Sequence, residues 1–170
     1  MNIIEVRNLC YAYEDDAPAL DNVSLNIAAG KTTAVLGGNG AGKSTLFLNL
    51  NGVLTPKSGK VFFEGTEVRY SKKELPELRR KIGIVFQDPD DQLFSASVTK
   101  DISFGLMKFG LTREEIQERV DRVVRQTGIE HIVGKPTHAL SFGQKKRVAI
   151  AGILVMQPSV IILDEPTAGL

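Results

Sequence analysis

The chain has 170 residues, of which 42% are apolar and 24% charged; its 21 Lys and Arg nearly balance 20 Asp and Glu, for a net charge of +1. That length suits one domain with a sizeable core, and the balanced charge offers no basic excess to hold nucleic acid. A single cysteine, Cys10, excludes an internal disulfide framework and fits a reducing cytoplasm, while no apolar run nears the roughly 20 residues of a membrane span. The chain is therefore expected in the cytoplasm, with no transmembrane segment, reaching a membrane only by docking on a partner that spans it.

Alternating apolar and polar residues predict half-buried strands over Asn2 to Leu9 and Val23 to Ile27, with a polar turn from Glu14 to Pro18 between them. Thr33 to Gly37 is a short apolar run ending in glycine and predicts a buried parallel strand. Lys43 to Asn51 reads as a helix, Lys60 to Glu64 as a strand, and Ile82 to Phe86 as a second buried strand. Val98 to Phe109 reads as helical. Thr112 and Glu115 form a capping box, after which Ile116, Val120, Val123 and Val124 share one helix face. Val160 to Asp164 predicts another buried strand, ending in acids. Core strands with helices imply an α/β fold. Within it, 1–91 and 159–170 read as the core and about 92–158 as a helical insert, with no repeat, low-complexity stretch or long linker.

Gly37-Gly38-Asn39-Gly40-Ala41-Gly42-Lys43-Ser44 fits G-x-x-x-x-G-K-[ST]. A triphosphate needs several backbone N–H groups pointing at it, and glycines remove the side chains that would block that approach and allow φ > 0. The helix beginning near Lys43 aims its N-terminal dipole at the phosphates. Lys43 is expected to reach the β- and γ-phosphates, the Ser44 hydroxyl to bind Mg²⁺, and Thr45 to donate to an α-phosphate oxygen. At the far end of the chain, the strand Val160 to Leu163 delivers Asp164 and Glu165 to its C-terminal end, where open α/β sheets bind ligands. Asp164 is expected near the Mg²⁺ through a water, and Glu165 to orient or deprotonate the attacking water. Alone, such an acid pair is equally a solvated strand end; with the phosphate loop it completes a site for phosphoryl transfer.

Leu140-Ser141-Phe142-Gly143-Gln144 precedes a long helical pattern through Met156. Ser141 reads as an N-cap with Gln144 at capping-box spacing, and also as a second phosphate-binding helix start. A phosphate loop, then Gln87 after an apolar strand, then L-S-x-G-Q, then an apolar strand with Asp-Glu, in this order, resembles the ABC ATPase family over the whole chain. The resemblance implies a P-loop NTPase (RecA-like) core with an N-terminal antiparallel β subdomain, an inserted helical subdomain, and the last core strands missing. It implies ATP and Mg²⁺ as ligands. It also implies a dimer of ATP-binding subunits, identical or different, in which Ser141, Gly143 and Gln144 meet the nucleotide held by the other subunit. Gln87 would touch Mg²⁺ and the attacking water and sense the membrane partner. Tyr13 would stack on adenine, with Tyr11 the rival. Phe142 departs from the commoner glycine, a difference of subfamily more than of activity.

Asp88-Pro89-Asp90-Asp91-Gln92-Leu93-Phe94 and the segment from Leu140 to Ile150 are similar to those of the energy-coupling-factor and cobalt-import branch. That implies an importer ATPase, for cobalt or nickel ions first and vitamins second, on the cytoplasmic face of the membrane. Its transmembrane subunit would meet the stretch from Gln87 to Phe94. Phe94 would serve as a surface anchor there or as a core residue. The basic run Lys145-Lys146-Arg147 reads as a solvated helix face, and His131 and His138, without partners at ligand spacing, as surface residues. A soluble ABC protein acting on ribosomes or DNA usually carries tandem cassettes or a long coiled-coil insert, and neither is seen. A GTPase lacks its N-K-x-D reader here. The family continues past Pro166-Thr167-Ala168-Gly169-Leu170 with an aspartate loop, a further strand and a switch histidine. The chain is accordingly expected to be part of a longer protein and, alone, to turn ATP over poorly.

Overall fold

In the computed structural model, which describes residues 1–14 and 17–166, the alternating N-terminal stretches pair as antiparallel strands. β1 (Asn2–Tyr11) and β2 (Leu20–Ala28) are neighbours. β3 (Ser58–Phe63) takes the other edge of β1, and β4 (Thr66–Glu67) pairs with β3, for a sheet order β2-β1-β3-β4. The alternation in β1 changes phase once. Ile4 and Val6 are buried and then Leu9, because a register shift lies between Val6 and Leu9, where Asn8 has φ 52°. Gly59 of β3 faces this irregularity: a Cβ there would sit 2.3 Å from the Asn8 carbonyl oxygen, so the bulge is fitted to a residue without a side chain. The expected turn from Glu14 to Pro18 contains residues 15 and 16, which lie outside the described residues.

The chain divides into two compact units, Met1–Arg79 and Arg80–Leu170. In the first, α1 (Lys43–Leu50) follows the glycine loop and buries Thr45, Leu46, Asn49 and Leu50. The expected strand Thr33 to Gly37 is not formed. Residues 31–38 carry no regular structure, and Leu36 is 90% exposed. An extended run becomes a strand only when a neighbour takes up its N–H and C=O groups, and among the described residues no strand pairs with this one.

The second unit begins with the end of α2 (Leu75–Lys81), which leads directly into β5 (Ile82–Val85). β5 pairs in parallel with β6 (Val160–Leu163), in register from Ile82 with Val160 to Val85 with Leu163. Parallel neighbours need a long crossover; here it carries α3 (Val98–Phe104), α4 (Arg113–Thr127) and α5 (Phe142–Leu154). These helices close on one apolar cluster that includes Val98, Ile102, Leu106, Val120, Val124, Ile132 and Val148. α5 lies so close to β5 that a Cβ on Gly83 would come 2.3 Å from Ile153 Cγ2. Two expectations are corrected. The helix predicted to Phe109 ends at Phe104, giving way to turns that close at Gly110, φ 65°. β6 is half rather than wholly buried, since Ile162 points inward while Ile161 and Leu163 are exposed.

The capping box of α4 forms as read: the Thr112 hydroxyl accepts from Glu115 N at 3.2 Å, and Glu115 Oε2 accepts from Thr112 N at 2.8 Å. Thr112→Ala removes the hydroxyl and is expected to cost about 1 kcal/mol, measured as a shift in the urea unfolding midpoint with an unchanged slope. Among the described residues, no helix is long and apolar enough to cross a membrane.

Candidate functional site

The glycine loop and its surroundings occupy the first unit. Gly40 and Gly42 have φ 79° and 84°, the left-handed region that favours glycine. Gly42 is the N-cap of α1, and Leu46 N donates to its carbonyl at 2.8 Å. Within the loop, Ala41 N donates to the Gly38 carbonyl at 3.3 Å, and Lys43 Nζ reaches back to the carbonyls of Gly37 and Gly38 at 3.0 Å each. The ammonium thus lies along the inside of the turn that Gly37, Gly38, Asn39, Gly40 and Ala41 make. No acid stands in the first turn of α1, so its N-terminal dipole is uncompensated from its own helix. Ser44 is exposed, whereas Thr45 is buried with its hydroxyl 3.2 Å from the Tyr13 hydroxyl.

That contact bears on the two tyrosines. Tyr13 is exposed beside the start of α1, while Tyr11, the last residue of β1, packs edge-on against it at 5.1 Å between ring centroids. Behind the loop, Asn49 is fully buried; its Nδ2 donates to Thr45 O at 2.8 Å and the Tyr70 hydroxyl donates to Asn49 O at 3.1 Å. Burial pushes the Tyr70 phenol well above its usual range. Nothing in the sequence singled out Asn49 or Tyr70.

In the second unit, β5 and β6 end side by side. The last ladder bond runs from Asp164 N to Val85 O at 3.0 Å. Gln87 leaves β5 exposed. Asp164 is buried at 6% exposure, and its Oδ1 has no hydrogen-bond partner among the described residues. A buried carboxylate oxygen without a donor is costly, so this atom asks for a cation or water. Glu165 follows with φ 43°, an uncommon conformation for a residue with a side chain; such backbone strain clusters at functional sites.

At the start of α5, Ser141 Oγ accepts from Gln144 N at 3.4 Å and Gln144 Oε1 accepts from Ser141 N at 3.0 Å. The hydroxyl keeps its own hydrogen to donate. A Cβ added at Gly143 would meet nothing within 4 Å, and no acid stands in this helix's first turn. Ser141 and Phe142 are exposed.

The basic run after this motif departs from the solvated face expected of it. Arg147 is exposed, but Lys146 is buried at 6% exposure and donates from Nζ to the carbonyls of Phe86 and Gln87, each at 2.8 Å. Burial lowers its pKa, opposed by the negative charges of Asp164 and Asp88. Lys145 Nζ meets Asp90 Oδ1 at 2.6 Å. Gln92 accepts from Phe86 N at 3.1 Å and donates to Ala149 O at 3.5 Å. Spacing in the sequence gave no signal for these contacts. Phe94 stands at the surface, edge-on to the exposed Phe104 at 4.6 Å between centroids, with the backbone before and after it tied by Asp101 Oδ2, which accepts from Phe94 N at 3.1 Å and Ser95 N at 2.7 Å.

Comparison with known proteins follows the same lines. The family profile described as ABC transporter matches residues 20–168. A relative from Clostridium perfringens (strain SM101 / Type A), named energy-coupling factor transporter ATP-binding protein EcfA2, is 59% identical over 168 residues, which are 99% of this chain but 59% of the relative's length. The solved structure of cbiO1 from Clostridium perfringens, described as part of the ABC transporter complex cbiONQ, is 58% identical with a TM-score of 0.89, covering 99% of this chain and 67% of that one. An ATP-binding cassette solved as a dimer in a post-hydrolysis state, bound to ADP and Pi, is 28% identical with a TM-score of 0.88, covering 98% of this chain and 75% of that one. The fold is thus that of an ABC ATPase cassette, with a P-loop NTPase core and an antiparallel sheet at the N-terminus. By its motifs, its fold and its likeness to these proteins, the chain belongs to the ABC transporter family.

Proposed function

We propose that the protein to which this chain belongs binds and hydrolyses ATP, and that it powers an ABC-type importer of the energy-coupling-factor class. The observation that carries the reading is the end of the β5–β6 pair. There a buried Asp164 oxygen lacks a protein donor, Glu165 follows in a strained conformation, and the adjacent strand leads straight to Gln87. Lys43 and the loop amides from Gly37 to Thr45 are the natural cradle for the phosphates, and Tyr13, exposed beside the start of α1, the natural platform for adenine. Oxygen donors suit Mg²⁺, and the hydroxyl of Ser44, the amide oxygen of Gln87 and the carboxylate of Asp164 are such donors. When bound, the ion would neutralise charge developing on the phosphates. Glu165 holds the attacking water and takes its proton. Ser141, exposed, with the half-buried Gly143 and Gln144, forms a helix start with no acid in its first turn, suited to the phosphates of a nucleotide held by a second subunit.

The 92–158 stretch acts as a helical insert in a core made of 1–91 and 159–170. The transmembrane subunit docks near Gln87 to Phe94, where the exposed rings of Phe94 and Phe104 offer an apolar contact. The protein then works at the cytoplasmic face of the membrane as a peripheral subunit. The transported substrate is proposed to be cobalt or nickel ions, on the resemblance carried by the segment from Asp88 to Phe94. Vitamin import is the second reading. Labelled cobalt and nickel uptake, in cells carrying the full-length gene with its membrane partners, decides between them. Uptake at least tenfold above cells carrying Glu165→Gln is expected, since that variant stops general-base chemistry worth about 10²-fold or more. Equal uptake in both would remove the metal assignment and bring vitamins forward.

A further inference from the structure

We propose that Lys146 is a positioning residue: it locks the Gln87 segment onto the helix that begins with the L-S-x-G-Q motif, so that the water-facing loop and the nucleotide-facing helix start move as one piece. The inference rests on the ATPase reading above and adds a residue to it. The ladder of β5 ends at Val85, whose carbonyl takes Asp164 N. The next two carbonyls, of Phe86 and Gln87, are taken by one ammonium at 2.8 Å each. Two carbonyls of consecutive residues accepting from a single Nζ fix the direction in which the chain leaves the strand, and therefore where the Gln87 side chain starts.

The same helix grips the segment at two more points. Lys145 binds Asp90 at 2.6 Å, and Gln92 spans from Phe86 N to Ala149 O. Around Lys146, α5 buries Val148, Ala149 and Ala151. An aliphatic side chain would fill this face without the cost of burying a charge. A lysine here is explained by what its ammonium holds. Because Ser141 and Gln144 cap the same helix, a displacement of one end of this assembly is carried to the other.

The test uses the full-length protein assembled with its membrane subunit, comparing wild type with Lys146→Met, which keeps length and packing but removes the N–H donors, and with Lys146→Arg. Phosphate release and binding of a fluorescent ATP analogue are measured together. In Lys146→Met, kcat is expected to fall about 10- to 100-fold, the loss typical of misplaced groups, while KM for ATP and analogue affinity stay within about twofold of wild type. Lys146→Arg, which can still donate to both carbonyls, is expected to recover most of the rate. A residue that only supports folding would lower the yield or melting temperature but leave kcat per folded molecule unchanged, and kcat within about twofold of wild type in Lys146→Met overturns the proposal. If Lys146→Met cannot be recovered folded, Gln92→Met cuts another tie of the same segment. The same kcat loss at unchanged KM is then expected, and an unchanged kcat overturns the proposal. Wild type that releases no phosphate would remove the ATPase reading and this role together. Active wild type, stopped by Glu165→Gln but matched by Lys146→Met, would remove this role alone.

Discussion

Glu165→Gln in the full-length protein is expected to lower ATP turnover by about 10² to 10⁴-fold, the range that general-base chemistry supplies, while nucleotide affinity stays near wild type. The substitution keeps the side-chain length, so the left-handed backbone at this position, φ 43°, is strained no more than before. What changes is the charge and the basicity. An amide can still donate and accept a hydrogen bond to a water, but it cannot take its proton. The neighbouring Asp164, buried at the end of β6, is untouched, so cation and phosphate binding remain. Loss of binding and turnover together would instead point to a folding defect at the strand end. Single-turnover phosphate release alongside equilibrium nucleotide binding separates the two.

Gly42→Ala is expected to weaken ATP binding tenfold or more, an effect of about 1.4 kcal/mol. Gly42 has φ 84°, and a Cβ there would lie 2.4 Å from the Ala19 carbonyl oxygen and 3.2 Å from Leu20 Cδ2. The first of these contacts is with backbone at the start of β2, whose place is fixed by Ala19 N donating to Tyr11 O at 2.8 Å. The loop must therefore shift, and with it the first N–H groups of α1. The left-handed conformation itself costs an alanine roughly 1 to 2 kcal/mol. Gly38→Ala is the control: its Cβ would meet nothing within 4 Å. It is expected to leave the melting temperature unchanged, whereas Gly42→Ala lowers it; titration with a fluorescent nucleotide and a thermal melt read both quantities.

The features legible in the sequence are those whose chemistry is local. The glycine loop, the helix after it and both capping boxes depend on residues within a few positions of each other, and the structure forms them as read. The two N-terminal strands were visible for the same reason, through alternation. What was not legible depends on partners far along the chain. Lys146 lies 60 positions from Phe86; with basic neighbours on both sides, nothing in its spacing distinguishes a buried ammonium from a solvated one. The bulge at Asn8 needs Gly59 opposite it, and Asn49 needs Tyr70. Thr33 to Gly37 shows the converse. Its apolar composition is that of a core strand, yet composition sets only the readiness to pair, and a strand exists once another backbone completes it. The site roles given to Gln87, Asp164 and Glu165 came from motif order; geometry adds that their strands are parallel neighbours ending together.

The most direct test is phosphate release from Mg-ATP by the purified full-length protein assembled with its membrane subunit, measured for wild type and Glu165→Gln in parallel. The account predicts steady release by wild type and its near-complete loss in the variant, with nucleotide still bound by both. Equal release by the two proteins, or none from wild type that binds nucleotide, would contradict it.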